Sequence, residues 1–426
     1  MGARILLTTF GSFGDLHPYL AVGIGLRNRG HHVTIGSSEI YRAKVEEEGL
    51  HFRALRPSLE GMMDNPEHMQ RAFHPRTGPE YVFRHVMMPA IEQMYEDTLA
   101  AGRDADLLIG HAIAFATPTV AEVLRKPWIS IALQPSVFIS AYDPPVISGV
   151  PALTALHPLG PGFWKPLLNL VRRVARTWGS PLNKLRRQLG LSPLRNPVLN
   201  DMFSPYGTYA WFSPLLGRAQ PDWPDRVTVT GFPFYDRLTA GEGLSPDLEQ
   251  FLCAGPPPVV FTLGSSAVFA AGEFFHESIS AAKQAGVRAI LLIGRDPRNT
   301  PRESLPTEMI AAPYAPFSEL LPRAAATVHQ GGVGTTGQAL QAGRPTLIVP
   351  WSFDQPDNAK RVARLGTGRT LARSRYRAAT VAAELRTLLH QPTYQAAAQQ
   401  ASQILAAEDG VSAACDALEA ALALSL

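Results

Sequence analysis

Residues 329 to 358, HQGGVGTTGQALQAGRPTLIVPWSFDQPDN, constrain the fold of this chain more than any other stretch. The apolar run ending at Val328 reads as a buried parallel strand. Gly331, Gly332, Gly334 and Gly337 then let the backbone turn tightly into a helix that continues through Leu340. Gly343 and Pro345 close that helix before a second buried strand, Thr346 to Val349. A strand, a glycine turn and a helix start leave free N–H groups suited to a diphosphate, with hydroxyl donors from Thr335 and Thr336. Asp354 and Gln355 fall at the C-terminal end of the second strand, the edge at which open α/β sheets bind ligands. A carboxylate beside an amide suits the vicinal hydroxyls of a hexose, so the unit points to a sugar nucleotide.

A competing reading uses the same residues. GVGTTG, 332 to 337, matches the dinucleotide fingerprint G-x-G-x-x-G, and Asp354 follows at a spacing that suits a ribose carboxylate. An NAD(P)- or flavin-dependent oxidoreductase is therefore the alternative. It leaves DQPDN and a second motif near the N-terminus unexplained. A nucleotide-binding loop of the Walker type is excluded, because no Lys follows the glycines.

The rest of the chain repeats the strand-then-helix rhythm. Strands are expected at Ile5 to Thr9, His32 to Gly36, Asp106 to Gly110 and Trp128 to Leu133, with helices at Pro18 to Arg29 and around Arg42 to Glu48. The second half gives strands at Val259 to Leu263, Ala289 to Ile293, Ile310 to Pro313, Ala325 to His329 and Thr346 to Val349. At 426 residues a single core is improbable on size alone, and two parallel α/β sheets follow from the pattern. The expected domains are 1–215, a Pro- and Gly-rich linker 216–245, 246–390, and C-terminal helices 391–426 packing back across the domains. A net charge of +3 does not imply nucleic acid, and Cys253 and Cys415 form no disulfide framework. With no signal peptide and no apolar run of membrane-spanning length, the chain reads as cytoplasmic.

GSFGDLHP, residues 11 to 18, lies where the first strand hands over to the first helix. Asp15 and His17 are both eligible general bases there, of the kind that takes a proton from an attacking hydroxyl. The bland reading of Asp15 is a helix N-cap, and that of His17 a solvated or core-satisfied histidine. DAD, 104 to 106, resembles a metal-binding DxD but precedes a strand and reads as a solvated turn.

Taken together, GSFGDLHP and HQGGVGTTGQALQAGRP…DQPDN resemble the family 1 glycosyltransferases, with further likeness in TGFPFYD (230 to 236), VVFTLGSS (259 to 266) and PYAPFSELLP (313 to 322). Within that family the chain is similar to the bacterial branch that includes the rhamnosyltransferase B chain of rhamnolipid synthesis. The resemblance implies the GT-B fold, two Rossmann-like parallel-sheet domains facing a central cleft. It also implies inverting, metal-independent transfer of a hexose, of the UDP-glucose or dTDP-rhamnose type, to a lipophilic hydroxylated acceptor, with no cofactor. On that resemblance Asp15 is the catalytic base and His17 lines the acceptor pocket. Ser265, His329, Gly332, Gly334 and Thr335 meet the diphosphate, Tyr314 stacks on the nucleobase and the Ala315 backbone reads its edge. Gln338 replaces a ribose-binding Glu, and Gln330 stands where many relatives have His. Asp354 and Gln355 hold the donor sugar.

One further stretch stands out. From Pro144 to Asn200 there is no Asp or Glu, while Lys and Arg alternate with large apolar residues, most densely over 163–187. Two readings stand: a lid over the acceptor pocket with a solvated basic face, or peripheral contact with an anionic membrane.

Overall fold

The computed structural model describes residues 2–62, 65–236 and 243–423. The chain divides into two compact units, one of Met1–Met62, Arg76–Tyr235 and Asp409–Leu426, the other of Met63–Pro75 and Asp236–Glu408. Residues 237–242 of the expected linker, and 424–426 of the expected C-terminal helices, lie outside the described residues.

The first unit holds a seven-stranded sheet, every strand parallel. Its strands are β1 (Arg4–Thr8), β2 (His32–Ser37), β3 (His51–Ala54), β4 (Leu107–His111), β5 (Trp128–Ala132), β6 (Thr208–Ala210) and β7 (Val227–Val229). Across the sheet they run β3-β2-β1-β4-β5-β6-β7. β1 sits between its two neighbours with Thr8 opposite Gly36 on one side and Gly110 on the other. The winding reverses between β1 and β4, so the loops leaving those two strands open a crevice at their C-terminal ends. Burial on both faces explains the continuous apolar runs Ile5–Leu7 and Leu107–Ile109, none more than 1% exposed.

The second unit repeats the plan in six parallel strands: β8 (Val259–Thr262), β9 (Ala289–Leu292), β10 (Met309–Ala312), β11 (Ala326–His329), β12 (Thr346–Ile348) and β13 (Gly368–Thr370). Their order, β10-β9-β8-β11-β12-β13, places the reversal between β8 and β11. The chain is thus an α/β protein with two Rossmann-like sheets, as the strand-helix rhythm predicts. β3, β6, β7 and β13 escape that rhythm, and β7 falls inside the stretch read as linker.

Two differences have clear causes. The first helix runs Phe13–Asn28, starting before Pro18 rather than at it. Ser12 caps it: the Ser12 Oγ accepts from the Gly14 N–H at 3.2 Å, while the Ser12 N–H donates to Asp15 Oδ2 at 2.7 Å. This reciprocal box starts the helix early and leaves Pro18 inside it, where its ring forfeits one helical bond. The second difference is long-range. The helix Pro66–Ala72, far from the second unit in sequence, inserts Met69 and Phe73 into that unit's core beside Phe274 and Trp351. The three C-terminal helices also part company. Ala378–His390 and Pro392–Ala406 belong to the second unit, and Gly410–Ala423 to the first. There Arg29 pairs with Asp416 at 2.5 Å and with Glu419 at 2.7 Å.

Candidate functional site

In the first unit the chemistry gathers at the reversal of the sheet. Asp15 lies three residues into its helix-capping box, and Gly11 clears the space for it. A Cβ on Gly11, whose φ is +117°, would fall 2.2 Å from Asp15 Oδ2. The carboxylate divides its work. Oδ2 accepts from the Ser12 backbone at 2.7 Å and from the Ser12 hydroxyl at 3.3 Å. Oδ1 faces the ring of His111 instead, 4.0 Å from Nε2. Burial raises the Asp15 carboxyl above its ordinary value, opposed by His111 and by the Ser12 hydrogen bonds. The side chain is still 32% exposed, so water reaches the group and tempers the rise.

His111 is the residue that motif reading missed. It ends β4, the strand on the far side of the reversal, and its ring is buried. Nδ1 lies 3.4 Å from the Thr9 hydroxyl. Burial lowers its basicity, with the Asp15 carboxylate and a hydrogen bond from its ring to the Phe10 backbone carbonyl acting the other way. The imidazole is therefore neutral at physiological pH. The one available signal in sequence was its place at the end of an apolar strand.

His17 does not join this pair. Its ring packs between Phe13, at 5.2 Å, and the edge of Tyr235, at 5.1 Å. Burial, with the nearby Lys44 ammonium, pushes its pKa down to about 3. Lys44 pairs with Glu48 at 3.4 Å, and the Tyr235 hydroxyl donates to Glu48. His17 is half-buried, and its Nε2 has no hydrogen-bond partner among the described residues. Asp106 of the DAD turn accepts from the Arg4 N–H at 2.7 Å.

In the second unit, the loops after β8 and β11 meet. Gly264 has φ +64°, and a Cβ there would stand 2.4 Å from the Gln330 side-chain nitrogen and 3.4 Å from Thr335 Oγ1. Ser265 is thereby carried beside the glycine run. Gln330 donates to Thr335 Oγ1 at 3.3 Å, so it braces the loop from within. His329 is fully buried; its Nδ1 accepts from the Gly331 N–H at 3.1 Å. Since that nitrogen accepts, the proton resides on Nε2, which has no partner among the described residues. Burial lowers the His329 pKa to about 3, so this donor is neutral.

The helix Val333–Gln341 starts at Gly332 without a capping side chain from that residue. Asp354 Oδ2 accepts from the Val333 N–H at 3.1 Å, leaving the Gly334 and Thr335 N–H groups at the helix end. Asn358 ties the two motifs together, donating to Asp354 Oδ2 at 2.7 Å and to the Gly331 carbonyl at 2.9 Å. Gln355 spends its amide oxygen on the Trp351 N–H at 2.8 Å and the Ser352 N–H at 3.2 Å, keeping its own N–H groups for other use. Phe353, just before the pair, is held at φ +58°, a strained conformation for a bulky residue, and its ring meets Phe73 edge-on at 5.7 Å. Gln338 is buried on the same helix and makes no side-chain hydrogen bond among the described residues. Tyr314 follows β10 and donates to the Asp236 carbonyl; Ala315 beside it is buried. Among the described residues no three His, Cys, Asp or Glu side chains gather as a metal site would need.

Known proteins place this arrangement. Residues 5–130 match the glycosyltransferase family 28 N-terminal domain, and residues 284–418 the C-terminal domain of erythromycin biosynthesis protein CIII-like proteins. The O-mycaminosyltylonolide 6-deoxyallosyltransferase of Streptomyces fradiae is 35% identical over 98% of this chain and 97% of its own length. The vancomycin aglycone glucosyltransferase of Amycolatopsis orientalis is 30% identical over 86% of this chain and 85% of its own. The solved structure of the glycosyltransferase VinC in complex with dTDP shares the fold, with a TM-score of 0.69 at 21% identity over 98% of this chain and 99% of that one. None of the three bears on the rhamnolipid branch. The dinucleotide reading of 332–337 gives way, because relatives aligned over nearly the whole chain transfer sugars. The chain belongs to the family 1 glycosyltransferases, with the two-domain α/β fold of the GT-B type.

Proposed function

We propose that the protein moves a hexose from a nucleoside diphosphate sugar to a hydroxyl of a lipophilic acceptor, inverting the anomeric carbon in one displacement. The observation that carries this reading is Asp15. One of its oxygens is committed to the helix cap, and the other is turned toward a neutral, buried His111 at the reversal of the first sheet. Asp15 Oδ1 takes the acceptor proton as the oxygen attacks, and its raised basicity suits it to the task.

In the second unit, charge developing on the departing diphosphate is met by the helix start at Gly334 and Thr335, by His329 Nε2–H and by the Ser265 loop. Tyr314 and Ala315 take the nucleobase, Gln338 the ribose, and Gln355 with Asp354 the sugar hydroxyls. The reaction proceeds on these groups without a divalent ion. The relatives' 6-deoxyallosyl and glucosyl donors, and the dTDP held by VinC, support a hexose on a dTDP or UDP carrier.

The test is turnover of UDP- and dTDP-hexoses with a panel of phenols, hydroxy-fatty acids and sterols, read by mass and by the anomeric configuration of the product. Inverted product formed at full rate in chelator supports the reading. Retained configuration, or loss of activity restored by a divalent ion, overturns it.

A further inference from the structure

The helix Gly160–Ala175 is apolar on two faces. One face is buried: Trp164, Leu168 and Ala175 are each 3% exposed or less, and the Trp164 indole N–H donates to the Leu156 carbonyl at 3.1 Å. The opposite face carries Leu159, Phe163, Pro166, Leu170 and Val174, whose spacing of three or four residues makes a continuous stripe. Leu159, Leu170 and Val174 are each 56% exposed and Phe163 is 37% exposed. Of the ten exposed large hydrophobic side chains among the described residues, six lie between Tyr142 and Val174. That concentration is unlike singly scattered surface residues and calls for an occupant.

Charge identifies the occupant. Arg173 lies about 60° round the helix from Leu170, and Arg176 follows on the same flank. Lys165 reaches to exposed Tyr142, its Nζ 5.2 Å from the ring centroid. Lys184 and Arg187 extend the basic surface along the next helix, Ser180–Gln188. None of these five cations has an acidic partner among the described residues, whereas Arg186, which turns inward, pairs with Glu122 at 2.6 Å. No acidic residue occurs anywhere from Pro144 to Asn200. An apolar stripe with unpaired cations along its flank is complementary to a surface that is anionic outside and hydrocarbon within.

We propose that the helix Gly160–Ala175 docks the protein on an anionic lipid surface, the stripe entering the headgroup boundary and Arg173, Arg176, Lys184 and Arg187 meeting lipid phosphates. Exposed Tyr142, beside Lys165, adds an amphipathic anchor. This contact is independent of the transfer chemistry and of its sugar.

Flotation of the full chain with vesicles of phosphatidylcholine, with or without phosphatidylglycerol, at physiological salt tests it. The wild type should float with the anionic vesicles and stay behind with the neutral ones. Arg173→Gln with Arg176→Gln should weaken partitioning about thirty-fold, from the usual contribution of a cation near such a surface. Leu170→Glu with Val174→Glu should abolish it, with the thermal midpoint and dTDP or UDP binding unchanged, since all four positions are exposed. A wild type that ignores anionic vesicles overturns the proposal. So does a Leu170→Glu, Val174→Glu protein that still floats, which would leave charge alone at work. Concentration-dependent self-association of the wild type in sedimentation, lost in that variant, would assign the stripe to a second copy and equally overturn it.

Discussion

At the scale of single residues, Asp15 shows a site bought at the expense of stability. Its carboxyl is raised above its unfolded value by burial, so the fold favours the protonated form. Stability from this group is therefore complete below the unfolded pKa and is lost as pH rises through the folded one, which leaves the ionised form a net cost at neutral pH. Asp15→Asn keeps an acceptor for the Ser12 N–H and removes that charge. We expect it to lower transfer by ~10²–10⁴ while the thermal midpoint holds or rises and nucleotide still binds; a fall in both activity and melting temperature would make Asp15 structural. His111 acts through Asp15. Its positive charge, when present, favours the carboxylate, so His111→Gln should move the acid limb of kcat/KM to higher pH with little change in donor KM. An unmoved limb would remove His111 from the reaction. Motif reading reached Asp15 because a carboxylate in a glycine loop is a local feature, and it missed His111 because a lone histidine closing a strand has no local signature.

At the scale of elements, the two glycine turns are required for different reasons, and substitution should separate them. In the loop after β1, Gly11→Ala would drive a methyl into the Asp15 carboxylate, so turnover should drop by about two orders of magnitude, approaching the loss of a general base. Donor binding should survive. After β11, Gly331 has φ +90°, and an added Cβ would stand 2.6 Å from Ile348 Cγ2 and 3.1 Å from the Gln355 carbonyl. Gly331→Ala should cost about 2 kcal/mol or more from backbone strain and overpacking. It should also weaken dTDP or UDP binding; unchanged melting and affinity would refute this account. The motif itself was legible here. Gly332 and Thr335 lie where the turn-to-helix reading puts them, because glycine conformation and helix starts are decided by neighbours in the chain. The role of Asp354 as a cap on the Val333 N–H was not legible, since it joins the loop after β12 to the helix after β11.

At the scale of the whole molecule, buried histidines set the response to acid. His329 has its pKa lowered to about 3 by burial, and His111 is lowered for the same reason. His329 stays neutral in the folded chain down to about pH 3, and His111 binds its proton less readily than it does unfolded, whereas the unfolded chain takes up a proton at each below about pH 6.5. Stability is full above that value and declines as pH falls toward the folded pKa, by up to about 1.4 kcal/mol per pH unit for each group. Thermal melts from pH 7 to pH 4 should show a steady fall that is shallower in His329→Gln; identical slopes would place the acid sensitivity elsewhere. By itself the sequence determined the two parallel sheets, the strand-turn-helix units and the two glycine loops after β1 and β11. Apolar runs, glycine conformations and capping residues act over a few positions, and their information is local. The tertiary structure alone decided the rest: that β4 lies beside β1 and brings His111 to Asp15, that Asn358 joins the glycine run to the DQ pair, and that Met69 and Phe73 complete the second unit's core. Strand order and core filling depend on which distant segments share one apolar interior, and no short window of the chain records that choice.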